Sequence, residues 1–237
     1  MDHISKRAQV RDALLELLRG LGAGAAIPPE RRLAQALGVS RPTLRAAIDE
    51  LVREGRLVPR HGSGTYVAEP KLALAPALTS FTEDMRGRGM RPGSRVLRFE
   101  RLAAGTEVGR RLRISPVDEV WAVRRLRLAD GVRMAIEQLH VPRPVVPELR
   151  RDALEGASFY ELLQECHDRR VATGVQTVEL TVTTGEEAQV LGVPEHAPAF
   201  RFERVTESEQ GEVVEYVRSV YRGDRYRLTT ELRPVPH

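Results

Sequence analysis

The 237-residue sequence predicts an α+β protein in two parts, on three observations. Up to residue 68, apolar residues recur at helical spacing and give way to a glycine-tipped hairpin pattern. From residue 79 onward, β-branched and alternating runs are interspersed with short helical stretches. Between them, over 69–78, Pro70 and Pro76 bracket small residues with few charges, which reads as a semi-rigid linker and a plausible hinge.

In the first part, Val10, Ala13, Leu14, Leu17, Leu18 and Leu21 predict an amphipathic helix over 5–20, stopped by Gly20, Gly22 and Gly24. Pro28-Pro29-Glu30 opens a second helix, with prolines where no amide donor is needed and a carboxylate in the first turn. Its buried stripe is Leu33, Ala34 and Leu37. Gly38-Val39-Ser40 makes a tight turn, and Ser40 caps a third helix with the stripe Leu44, Ala47, Ile48, Leu51 and Val52. Arg56–Pro59 and Thr65–Ala68 flank Arg60-His61-Gly62-Ser63-Gly64 as a short hairpin. Two helices joined by a tight turn and followed by a two-stranded wing make a winged helix-turn-helix over residues 1–68. Arg41, Thr43 and Arg45 fall off the buried stripe at the start of the third helix, where a recognition helix meets base edges; a solvated face is the plainer alternative.

Charge agrees with that reading. The net charge is +4, and all of it lies in residues 1–68, with 11 basic against 7 acidic side chains; residues 69–237 carry 26 of each. A basic head on a neutral body is the footprint of nucleic-acid binding. No apolar run approaches the length of a membrane span. The single cysteine, Cys166, excludes an internal disulfide framework and fits a reducing compartment. The first residues run into charge rather than an apolar core, so a cytoplasmic protein is expected. The six histidines are scattered, so no metal is expected, and no cofactor either. Gly62-Ser63-Gly64 lacks the lysine and following helix of a phosphate-binding loop, and no nucleophile elbow is present.

The second part reads as strands over 96–102, 117–129, 134–141, 175–183, 199–206 and 213–221, with helices over 79–88, 105–112, 158–167 and 185–191. In a strand alternate residues share a face, so Arg125 and Arg127 point the same way. Two guanidinium groups on one face repel unless an anion or a carboxylate lies between them. Ser158 at the start of a helix offers a hydroxyl and exposed amides to an anion. Glu137, Tyr160 and Tyr221 suit bonding to and stacking on a sugar ring. The alternatives are that the arginines pair with glutamates on neighbouring strands and that Tyr221 is a core aromatic. Arg222, Asp224 and Arg225 read as a turn with an ion pair, and Trp121 as core.

The stretches Ile27–Ala34, Leu37–Arg45, Leu51–Leu57 and His61–Val67 resemble the DNA-binding domain of the GntR family of bacterial transcription regulators. That resemblance implies that Arg31 holds DNA from the second helix and that Arg41 and Arg45 read guanines in the major groove. It also implies that Ser40 and Thr43 bond phosphates and that His61, Gly62 and Gly64 enter the minor groove. Pro42 departs from the family pattern, removing one amide and one polar side chain from the DNA face, and a shifted site preference is expected. Leu78–Met85, Arg88–Met90, Arg124–Arg127, Met134–Glu137 and Glu215–Tyr226 resemble the HutC-type subfamily, whose effector domain, UTRA, has a chorismate-lyase-like fold. The last run is especially similar to amino-sugar-responsive members. The resemblance implies that Ser80 or Thr82, Arg125, Arg127 and Ser158 hold a phosphate, and that Glu137, Tyr160 and Tyr221 hold the sugar. It further implies a homodimer on a palindromic operator, dimerising through an effector domain over 79–237. The expected function is a repressor of sugar or amino-sugar genes, relieved by a phosphorylated sugar such as an amino-sugar 6-phosphate. Alternatives are the same regulator answering a carboxylate or secondary metabolite, an architectural DNA binder without a switch, and an enzyme of lyase-like fold.

Overall fold

The computed structural model describes residues 6–60, 62–74 and 77–230 and divides into two compact units, one ending at Leu72 and the other beginning at Ala73. The first unit holds α1 (Lys6–Gly20), α2 (Glu30–Ala36), α3 (Arg41–Arg53) and the antiparallel pair β1 (Leu57–Arg60) and β2 (Gly64–Val67). The predicted stripes meet in one core: Val10 and Leu14 of α1, Leu33 of α2, and Leu44, Ile48 and Leu51 of α3 pack together with Ile27 and Leu57. Ser40 caps α3, its hydroxyl accepting from the Thr43 amide at 3.3 Å. Pro42 sits in the first turn, where helices tolerate proline. The wing is stitched to the chain before α2 by the Ile27 amide, which donates to the Thr65 carbonyl at 2.9 Å.

The second unit is built on a six-stranded antiparallel sheet in the order β4-β5-β6-β9-β8-β7. Its strands are β4 (Pro92–Ala103), β5 (Glu119–Ala129), β6 (Val132–Pro142), β7 (Val171–Val182), β8 (Pro198–Ser208) and β9 (Val213–Arg222). Register fixes what shares a face. One cross-strand row reads Arg125, Glu137, Ser219, Phe202 and Val178, and the next reads Arg127, Ala135, Tyr221, Phe200 and Leu180. This face carries α4 (Phe81–Gly87), a 3₁₀ turn at Asp152–Leu154 and α6 (Phe159–His167), around a core of Val123, Leu139, Val217, Leu154, Phe159 and Leu163. The opposite face is covered by α5 (Gly105–Leu112), against Val120, Val205 and Tyr216, and by α7 (Gly185–Leu191), against Leu126, Ile136 and Val220.

Two departures from expectation concern the connection. The stretch expected as a linker over 69–78 contains a strand, β3 (Leu72–Leu74), paired with β10 (Tyr226–Leu228), which was not expected. Backbone pairing holds it: the Thr229 amide donates to the Leu74 carbonyl at 3.0 Å, and Arg88 donates to the Ala73 carbonyl at 2.6 Å. In addition, β4 and β7 begin four residues earlier than the sequence pattern suggests. The predicted turn ion pair is present, with Arg222 donating to both Asp224 oxygens at 2.9 and 2.6 Å.

Candidate nucleic-acid interface and effector site

In the first unit, Arg31, Arg41 and Arg45 are all exposed, within the first two turns of α2 and α3. Burial of the α3 stripe leaves these positions outward, as the helical period requires. Ser40 and Thr43 touch through their hydroxyls at 2.8 Å, so each is partly engaged within the protein. Arg45 is not a free guanidinium. It donates from Nη2 to Glu30 Oε2 at 2.7 Å and from Nε to Oε1 at 3.4 Å. That bond and the charge of Glu30 raise the Arg45 pKa above its ordinary value. Glu30 was read in the sequence only as a favourable first-turn carboxylate. At the wing, Gly62 and Gly64 are exposed with φ of +69° and +112°. These are backbone conformations glycine adopts without a side-chain clash, and they bring the main chain to the surface. Arg60 lies over the Tyr66 ring at 4.1 Å. His61 lies outside the described residues.

In the second unit a cavity of about 620 Å³ opens on the sheet face under α4. Of the predicted effector residues, Ser80, Glu137 and Tyr221 line it, together with Arg204, Ser219, Phe202 and Val178. Leu74 and Leu228, from the two strands of the clasp, form part of its wall. Thr82, Arg125, Arg127, Ser158 and Tyr160 are not on its wall. Their placement follows from hydrogen bonding that the linear sequence does not display.

Arg125 and Glu137 stand opposite one another in the sheet and form a buried ion pair through Nη2, with Nε donating to Oε1 at 2.8 Å. The neighbouring-glutamate alternative therefore describes Arg125. It does not describe Arg127. That side chain is 2% exposed, stacks over Phe81 at 4.7 Å and donates from Nη2 to the Thr82 hydroxyl at 2.9 Å. Its Nε and Nη1 have no partner among the described residues. Burial, and then the charge of Arg125, lower its pKa to about 10. Burial alone would raise Glu137, but Arg125 and Arg127 outweigh it and hold the carboxyl below its ordinary value. Tyr221 is pushed up to about 12 by burial and by Glu137; its ring packs edge-on against Phe202 and Tyr226, each at 4.9 Å.

Tyr160 belongs to a different network. Its hydroxyl donates to Glu215 Oε1 at 2.8 Å, and the Thr206 hydroxyl donates to the same oxygen at 2.8 Å. Arg204 approaches that carboxylate at 3.5 Å. Arg204, Thr206 and Glu215 were not singled out from the sequence as polar site groups. The only signal they carried was polarity at inward strand positions. Ser158 is buried and caps α6, accepting from the Glu161 amide at 3.4 Å. Ser80 caps α4 in a reciprocal box with Glu83, which occupies both its amide and its hydroxyl. No cluster of three or more histidine, cysteine or acidic side chains with metal-ligand placement occurs among the described residues. No described helix is long and apolar enough to cross a membrane.

A basic helix-turn-helix surface with a wing, followed by a sheet domain with a cavity over buried arginines, defines a DNA-binding regulator with a small-molecule site. Residues 6–67 match the family described as bacterial regulatory proteins, gntR family, and residues 87–227 match the UTRA domain. The chain belongs to the GntR family, in its UTRA-containing, HutC-type branch. It is 37% identical over 201 residues to the HTH-type transcriptional repressor NagR of Bacillus subtilis, covering 84% of this chain and 82% of that protein. It is 32% identical over 234 residues to the mannosyl-D-glycerate transport/metabolism system repressor MngR of Escherichia coli, covering 97% and 96%. The crystal structure of PhnF from Mycobacterium smegmatis superposes with a TM-score of 0.67 at 30% identity, over 94% of this chain and 99% of that one. The family consists of DNA-binding regulators, and the chain is accordingly a transcription regulator rather than an enzyme.

Proposed function

We propose that this regulator is a homodimeric repressor of genes for sugar or amino-sugar use, bound to a two-fold operator and released by a phosphorylated sugar. Residues 1–68 supply the DNA-binding head, with Arg31, Ser40, Arg41, Thr43, Arg45, His61, Gly62 and Gly64 at the DNA. Residues 79–237 supply the effector body. The observation that carries the ligand class is Arg127, a buried cation with two donor nitrogens unpartnered among the described residues, beside Arg125 and Thr82. A buried unpaired charge is costly, and a phosphate is the ligand that answers two adjacent guanidinium groups. Glu137 and Tyr221 line the cavity, whose wall does not include Arg127, and suit a sugar ring. Because Glu137 already holds Arg125, a phosphate would have to share or displace that carboxylate. In this reading Ser158 contributes through the first turn of α6, and Tyr160 through the Glu215 network. The relatives support the sugar class: MngR is named for a mannosyl-D-glycerate system and another relative for fructoselysine utilisation.

One observation favours a second reading. The cavity has apolar walls at Leu74, Val178, Phe202 and Leu228, which suit a metabolite with an apolar arm or a sugar-derived carboxylate. The deciding experiment is operator binding on the DNA flanking the gene, titrated with phosphorylated and free sugars. Release by an amino-sugar phosphate, and not by its free sugar, is the expected result. Specific binding that ignores every phosphorylated sugar would overturn the ligand class.

A further inference from the structure

Several arginines of the first unit are answered by carboxylates. Arg45 is held by Glu30, Arg11 by Glu50 and Glu54, and Arg56 stands 3.9 Å from Glu54. Arg60, exposed at the end of β1, has no ion-pair partner among the described residues. Its guanidinium lies instead over the Tyr66 ring, at 4.1 Å. The register of the wing explains that contact. Val58 stands opposite Tyr66 and Arg60 opposite Gly64, so Arg60 and Tyr66 are diagonal neighbours on one face of the ribbon. Gly64 puts no side chain between them. Tyr66 is fixed in its turn. Its hydroxyl meets the Ser63 hydroxyl and donates to the Ser63 carbonyl at 3.2 Å, while the Ser63 amide donates to the Arg60 carbonyl at 3.0 Å. One aromatic ring therefore ties the wing tip to the cation at its base.

We propose that Arg60, held on Tyr66, reads the minor groove and makes the operator require A·T base pairs where the wing lands. This rests on the reading of residues 1–68 as the DNA-binding head. Runs of A·T narrow the minor groove and deepen its negative potential, which draws in an arginine side chain. A guanine in the same place adds an amino group to the groove floor. A guanidinium is weakly hydrated, so it leaves water for a groove about 6 Å wide more readily than an ammonium does. Stacked on Tyr66, it has little rotamer freedom left to lose on insertion. Its place favours the groove over a phosphate: Arg60 stands level with Gly64, where the ribbon is slimmest. The two elements then divide the reading, with α3 answering guanines in the major groove and the wing answering their absence in the minor groove.

The test uses the full chain and duplexes selected from a random pool. The parent chain should enrich A·T pairs at the positions under the wing. Replacing such a pair by inosine·C, which keeps an A·T-like minor groove, should be tolerated. Replacing its adenine by 2,6-diaminopurine, which adds the amino group and leaves the major-groove edge of the pair in place, should weaken binding about fivefold or more. Arg60→Ala should erase that difference, with the circular dichroism spectrum of the folded chain unchanged. Arg60→Lys, which keeps the charge without the flat stacking surface, should lose most of it. Arg41→Ala should instead lose the preference at the major-groove positions, which Arg60→Ala keeps. A diaminopurine penalty that survives in Arg60→Ala, a parent chain without A·T preference under the wing, or an Arg60→Ala chain weakened equally on every sequence, the mark of a phosphate contact, would each overturn the proposal. A parent chain that selects no sequence at all would overturn the reading of the head as well.

Discussion

Arg127 carries its charge to a position that is 2% exposed, with two nitrogens lacking partners among the described residues. Such a group weakens the fold, and in the proposed function it is kept for the phosphate it would bind. Arg127→Met is therefore expected to raise the Tm of the ligand-free protein while abolishing effector-driven release of DNA. A variant with a lower Tm and a full effector response would remove Arg127 from the site. His140 supplies a pH prediction. Its ring stacks on Tyr216, its Nδ1 has no partner among the described residues, and burial, helped by Arg218, lowers its pKa below the ordinary 6.5 despite the opposing backbone bond at Tyr216. A depressed folded pKa means the unfolded chain binds the proton more readily. Its contribution is thus complete above 6.5 and is lost as pH falls through the lower folded value. Glu137, also depressed, adds a second loss at more acidic pH. Urea midpoints measured against pH should slope downward below 6.5, and His140→Gln should flatten the first part of that slope while leaving the second. On the DNA side, Arg45→Ala should weaken specific binding by about 1–3 kcal/mol per half-site and relax the preference at one base pair, read by competition with substituted operators.

At the level of elements, α3 shows how directly a pattern can become structure. Leu44, Ala47, Ile48 and Leu51 are buried as their spacing requires, and Ser40 caps the helix. Leu44→Ala should destabilise the first unit by about 2–5 kcal/mol, measured as the shift in its unfolding transition. The six long strands and the four body helices were readable for the same reason: alternation and helical periodicity are local signals. The clasp of β3 with β10 was not, because three residues show no period and the pairing joins positions 72–74 to 226–228. The site divides in the same way. That Arg125 and Arg127 share a face follows from strand parity. That Glu137 takes Arg125 and leaves Arg127 depends on the register of β5 with β6, which shifts just after Arg127. The hold of Glu30 on Arg45 and of Glu215 on Tyr160 joins residues far apart in sequence, which single-strand or single-helix patterns do not display.

For the whole molecule, the effector and operator must be linked reciprocally: whatever lowers affinity for DNA when effector binds lowers affinity for effector when DNA binds. Leu74 and Leu228 line the cavity and belong to the clasp at the start of the second unit, so a ligand in the cavity would touch the segment that follows the DNA-binding unit. Tightening of effector binding on removal of operator, by the same factor as effector weakens operator binding, is the expected outcome in paired calorimetric titrations. The contrast between a sequestered Arg127 and the exposed Arg31, Arg41 and Arg45 has a last consequence, for ionic strength. Exposed phosphate contacts are screened and exchange counterions; a protein making 6–10 of them loses about 10³–10⁵-fold in DNA affinity between roughly 50 and 200 mM salt. A charge enclosed by protein is screened far less. On the proposed function, salt loosens the grip on the operator and leaves the grip on the effector nearly constant, so a cell that accumulates ions would need less metabolite to switch the same genes on.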